Sequence, residues 1–137
     1  MATPQILETV RRQLIESGKD TRYSLGAYNF LLNGMEFYLT RIGEKRHVTG
    51  QELSRGLMEF ACKQFGALAL DVLLSWGIEK TDDFGYLVYN LIDIGQMSRQ
   101  PTDRLEDFFD VFNLEVYCRS EKPAPIDPDF VRSIRGA

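Results

Sequence analysis

The chain has 137 residues, a length for about one domain, and is long enough to bury most of its unfolded surface without disulfides or metals. Hydrophobic residues make up 44% and charged residues 26%, which excludes wholesale disorder. The formal charge is −4, from 16 basic and 20 acidic side chains, which argues against a protein whose whole surface wraps nucleic acid.

Thr3-Pro4 opens the first predicted helix, with a hydroxyl cap and then proline where its missing N–H costs nothing. Ile6, Val10 and Leu14 line one face, and Gly18 is a left-handed stop. A second helix is expected from Tyr23 to Leu32, ended by Asn33-Gly34. Met35 to Ile42 alternates weakly and reads either as a short strand or as more helix. Thr49-Gly50-Gln51-Glu52 is a capping box that starts a helix carrying Leu53, Leu57, Phe60 and Ala61, broken at Gly66. Leu68 to Trp76 has little polar relief and is expected as a central, mostly buried helix stopped by Gly77.

Thr81-Asp82-Asp83 caps the next helix and places carboxylates at its positive end. Phe84, Leu87, Val88 and Leu91 form its stripe, and Gly95 closes it. Pro101-Thr102 is expected to start a helix through about Asp110. Val111 to Tyr117 alternates and leans to strand, a partner for Met35 to Ile42. Pro123, Pro125 and Pro128 mark residues 121–137 as a separate tail, in which Phe130, Val131 and Ile134 form one short apolar turn. The expected fold is mainly α: a single helical domain over residues 1–120, with at most one small antiparallel β pair. An echo between Ala27–Met35 and Val88–Met97 admits two readings, an internal helix–turn–helix duplication or a coincidence between amphipathic helices that both run into glycine.

Cys62 and Cys118 are far apart in sequence with no CxxC pair, and His47 is the sole histidine, so a closed zinc site is not expected. The thiols read as reduced and structural, neither having a neighbour in sequence to pair with. No basic stretch followed by an apolar run opens the chain, and the most apolar segment, Gly66 to Ile78, is too short to span a bilayer. The expected location is therefore the cytoplasm, with no membrane association.

Arg46-His47-Val48-Thr49-Gly50-Gln51-Glu52-Leu53, Gln64-Phe65-Gly66, Trp76-Gly77-Ile78, Thr81-Asp82-Asp83-Phe84-Gly85 and Val88-Tyr89-Asn90-Leu91 together resemble an uncharacterised family of small bacterial proteins restricted to planctomycetes and verrucomicrobia. The resemblance runs from about Tyr23 to Phe112. It implies one compact cytoplasmic domain, no assigned activity and no catalytic residues to carry over.

Two candidate contact surfaces follow from the residues themselves. Lys45, Arg46 and His47 form a basic loop before a capped helix, where cations and free amides could meet an anion or a partner; the alternative is an exposed connection. Asp103, Glu106, Asp107 and Asp110 fall at i, i+3, i+4 and i+7, one face if the segment is helical, and could meet a basic partner. A Glu-x-x-His pair is missing, so a solvated or partner-facing acidic surface is favoured over a metal site. Tyr86, Tyr89 and Tyr117 are either an exposed aromatic patch or core residues.

The first 60 residues carry eight basic and seven acidic side chains; the remaining 77 carry eight and 13. A nucleic-acid role would rest on Arg41, Lys45, Arg46 and Arg55, with the Thr49–Gln64 helix as reader, but Glu52 and Glu59 on that helix oppose phosphate. No phosphate loop, nucleophile elbow or cofactor fingerprint is seen. The leading expectation is a non-enzymatic protein–protein interaction module, monomer or homodimer, without cofactor or metal. A helix–turn–helix nucleic-acid or regulatory protein is the alternative, and an enzyme using His47 with carboxylates ranks third.

Overall fold

The computed structural model describes residues 2–43, 48–100 and 102–120. The tail 121–137 and the basic triplet Lys45, Arg46 and His47 lie outside them. Helix α1, Pro4–Val10, is capped by Thr3, whose Oγ1 accepts from Ile6 N at 3.2 Å. It continues as a wider π-helical turn, Arg11–Glu16, that keeps Val10 and Leu14 fully buried. Helix α2 is Leu25–Ile42, α3 is Gly50–Phe65, α4 is Ala69–Ser75, α5 is Thr81–Asp93 and α6 is Leu114–Ser120.

The expected capping box is present: Thr49 Oγ1 accepts from Glu52 N at 3.1 Å, and Thr49 N donates to Glu52 Oε1 at 3.5 Å. The core lies between α2, α3 and α5, where Tyr28, Leu31, Leu57, Met58, Phe84, Leu87 and Leu91 are removed from water. Phe30 joins a run of rings with Phe60, Phe65 and Trp76 that binds α2 to α3 and to the end of α4. No described helix is long and apolar enough to cross a membrane.

Several local expectations are corrected. Helix α2 does not stop at Asn33-Gly34. A methyl at Gly34 would sit 2.6 Å from Leu57 Cδ2 and 3.2 Å from Phe60 Cδ2, so this glycine lets α2 and α3 approach rather than ending a helix. Met35 to Ile42 takes the helical alternative as the last part of α2, while Val111 to Asn113 is a loop and Leu114 to Tyr117 begins α6, so no β pair forms there. Asn113 supplies the helix start: its Oδ1 accepts from Val116 N at 3.0 Å. The Leu68–Trp76 segment is a short peripheral helix, not a central one; Ala69 and Leu73 are buried, but Leu68 is 51% and Leu74 46% exposed.

The segment after Pro101 makes only a 3-10 turn, Leu105–Phe108, so its four acids do not share one helical face. The two copies of the internal echo also differ. Gly34 lies inside a helix, whereas Gly95 turns the chain with φ +79°.

Phe108 is the buried side chain of that 3-10 turn. It lies between α3 and α5, and glycine at both contact points makes room for it. A methyl at Gly50 would meet Phe108 Cδ2 at 3.0 Å, and one at Gly85 would meet Phe108 Cβ at 2.8 Å.

Gly77 combines a left-handed backbone, φ +91°, with a position where a methyl would lie 2.2 Å from Arg22 O. Gly95 has the similar φ of +79° with open space around it. In urea titrations Gly95→Ala is expected to cost about 1 kcal/mol through φ alone, and Gly77→Ala about 3 kcal/mol or more through φ plus the collision. Equal losses would contradict the packing of residue 22 on residue 77.

Candidate binding cleft

The second half of α2, the start of α3, α5 and the 97–108 segment enclose a cleft of about 710 Å³. Helical spacing places Met35 and Leu39 of α2 on one wall, and Val88 and Ile92 of α5 on the opposite wall. Met97 and Phe108 close one side. The polar lining includes Tyr38, Tyr89, Gln100, Asp103, Arg104 and Asp107. Tyr38 donates to Glu52 Oε2 at 3.1 Å, which links the capping box of α3 to the cleft wall.

Tyr89 is the exceptional group. Its hydroxyl oxygen is buried and has no hydrogen-bond partner among the described residues, and the Arg99 guanidinium lies 5.8 Å from its ring centre. Burial pushes the phenol upward from its ordinary pKa, so it remains a donor at neutral pH. An unmatched buried hydroxyl carries a desolvation cost of about 1–3 kcal/mol, which an acceptor arriving in the cleft would remove.

The opposite face of α5 is occupied by the segment joining α1 to α2. Asp20 is buried and accepts from Arg22 N at 3.0 Å, Arg22 Nη2 at 2.7 Å and Asn90 Nδ2 at 2.7 Å. The same amide donates to Tyr28 Oη at 3.1 Å. Tyr23 donates to Asp83 Oδ1 at 2.5 Å, and Asp83 Oδ2 accepts from Glu79 N at 2.8 Å and Lys80 N at 3.1 Å. The Arg22 guanidinium covers the Tyr86 ring at 4.5 Å from its centre. These bonds hold α5 from behind and fix which of its residues face the cleft.

Of the sequence-predicted site residues, Asp103 and Asp107 reach the cleft rim, where they flank Arg104. Asp103 also caps its own turn, accepting from Gln100 N at 2.7 Å. Glu106 and Asp110 do not line the cleft; Asp110, at φ +48°, donates its N–H to Asp82 Oδ1 at 2.9 Å. Lys45, Arg46 and His47 fall outside the described residues, although Gly43 and Val48, on either side of residues 44–47, both line the cleft. No group of three or more His, Cys, Asp or Glu able to hold a metal occurs among the described residues.

The three tyrosines do not form one patch. Tyr86 packs under Arg22, Tyr89 lines the cleft, and Tyr117 stacks on Phe112 with ring centres 5.0 Å apart. Met35, Leu39, Ile92, Met97 and Arg104 are cleft residues that the sequence reading did not single out. The i, i+4 spacing of Met35 and Leu39 becomes informative only once α2 is known to continue past Gly34. Set beside known proteins, the chain matches no family model, no curated protein and no solved structure.

Hydrogen bonds from Arg22, before all else, lower the Asp20 carboxyl from its ordinary 3.8 to about 2. A depressed carboxyl stabilises the fold fully above its unfolded value and loses that contribution as pH falls through the folded one. The window is therefore between about pH 4 and pH 2, and the size is about 1–2 kcal/mol. Denaturation measured from pH 5 to pH 2 is expected to show a steeper loss for the wild type than for Asp20→Asn. Parallel curves would mean that Asp20 is not held as described.

Proposed function

We propose that the chain is a non-enzymatic protein–protein interaction module and that the α2–α3–α5 cleft receives its partner. The partner chemistry that fits is an amphipathic segment. Apolar side chains fill the space between Met35, Leu39, Val88 and Ile92, a backbone or side-chain acceptor meets Tyr89, and a basic group reaches Asp103 and Asp107. The observation that carries this reading is the apolar cleft with a buried, unmatched tyrosine hydroxyl in its lining. The resemblance to the small bacterial family, and with it a cytoplasmic location, belongs to the same proposal.

The nucleic-acid alternative draws less support. Arg41, one of its proposed cations, is engaged by Glu59 on α3, and the cleft rim offers two acids for one described arginine.

Peptides selected from a displayed library on the full chain test the proposal. Selected binders should be apolar with basic flanks, and Met97→Glu should weaken them tenfold or more by fluorescence polarisation. Leu74→Glu, on exposed α4, should leave affinity unchanged. Binders indifferent to Met97, or a tightly held small molecule found by native mass spectrometry and displaced by Met97→Glu, would overturn it.

A further inference from the structure

The sequence beyond α6 holds the chemistry that complements the α2–α3–α5 cleft. Phe130, Val131 and Ile134 sit at i, i+1 and i+4, the spacing that one apolar helical turn requires. Arg132 and Arg135 are the charged residues of 130–135, with no acid among them. The cleft presents the matching pattern. Met35 and Leu39 on α2 oppose Val88 and Ile92 on α5, both pairs set four apart. Its carboxylates, Asp103 and Asp107, outnumber Arg104, the one described arginine in the lining. Helices α2 and α5 also bring their carboxyl ends to it, through Gly43 and Ile92, and such ends favour cations.

We propose that residues 130–135 occupy this cleft in cis, so that the chain carries its own occupant and an outside partner must displace it. This rests on reading the cleft as a seat for an amphipathic segment. Phe130, Val131 and Ile134 enter between α2 and α5, a carbonyl of the segment accepts from the Tyr89 hydroxyl, and the arginines reach Asp103 and Asp107. A tethered segment acts at an effective concentration in the millimolar range, so weak contacts suffice to fill the site.

The connection is long enough. Residues 121–129 include Pro123, Pro125 and Pro128, and a proline-rich stretch spans about 3.1 Å per residue, so these nine bridge about 28 Å. Helix α6 packs on α3, whose first turn lines the cleft and whose 16 residues measure about 24 Å from end to end. The second groove, beside α6 itself, fits the segment less well. The charged residues in its lining are Arg55 and Glu59, and Glu59 is already paired with Arg41.

Full-length protein in which Phe130 is replaced by p-benzoylphenylalanine, irradiated in dilute solution and mapped by peptide mass spectrometry, tests the placement. Crosslinks within one chain to Met35 or Met97 are expected, since benzophenone reacts readily with methionine side chains. Ile134→Glu, with an unchanged circular dichroism spectrum, should lower their yield roughly fivefold or more and tighten binding of a peptide selected for the cleft by a similar factor. The double change Arg132→Glu and Arg135→Glu should do the same through charge alone. Crosslinks to Phe112 or Val116, crosslinks joining two chains, or no crosslink at all would overturn the proposal. If crosslinks fall elsewhere while selected peptides still depend on Met97, the tail is excluded and the cleft keeps its proposed role. If they enter the cleft and no peptide binds even the Ile134→Glu protein, the cis occupant stands and the partner reading falls.

Discussion

The first turn of α5 is where the rest of the molecule is tied together. Thr81, Asp82 and Asp83 are adjacent, and each accepts a hydrogen bond from a distant part of the chain. Thr81 Oγ1 accepts from Val111 N at 3.1 Å, Asp82 Oδ1 from Asp110 N, and Asp83 from the Tyr23 hydroxyl. Asp83 also accepts two backbone amides at the entry to its own helix. A buried carboxylate left without such donors would be strongly destabilising, so its partners are fixed in place along with it. The amino-terminal connection thus arrives on one side of α5 and the 97–113 segment on the other.

The cleft follows from that arrangement. Residues 20–24 hold α5 through Asn90 and Asp83, and Ser24 N reaches Trp76 O at 3.3 Å, which ties the end of α4 to the same point. With that face occupied, Val88, Tyr89 and Ile92 turn toward α2. Phe108 sets the distance of the third wall by entering between Gly50 and Gly85, two positions where any side chain would collide with it or its neighbours. A rigid frame around an apolar space, with a tyrosine hydroxyl left unmatched in the lining, is the arrangement expected where binding energy has been set aside for a ligand group.

Features encoded within a few residues were legible in the sequence. The Thr3 and Thr49 caps and the turns at Gly18, Gly66, Gly77 and Gly95 depend on local backbone needs, and all occur where the sequence places them. Gly34 was misleading because its reason is tertiary, the approach of Leu57 and Phe60. The weak alternation of Met35–Ile42 left strand and helix both open, and the helix is what forms, with Met35, Tyr38, Leu39 and Ile42 at helical spacing. Asn113 is a local start signal for α6 that outweighs the apolar alternation of Val111–Tyr117. Asp20 and Asn90 could not be linked from the sequence, since 70 positions separate them. Of the cleft, Val88 was legible as a stripe residue and Asp103 and Asp107 as acids, while Tyr89's unmatched hydroxyl is a property of the packed molecule only.

The account rests on Asp83 acting with Tyr23 across elements rather than as a helix cap alone. A double-mutant cycle of Tyr23→Phe and Asp83→Ala, with stability read by urea denaturation near neutral pH, isolates that pair from the backbone bonds Asp83 also makes. A buried hydrogen bond from a phenol to a carboxylate predicts a coupling of about 1.5–3 kcal/mol. Losses that add to within about 0.5 kcal/mol would contradict the claim that the first turn of α5 holds the amino-terminal connection in place.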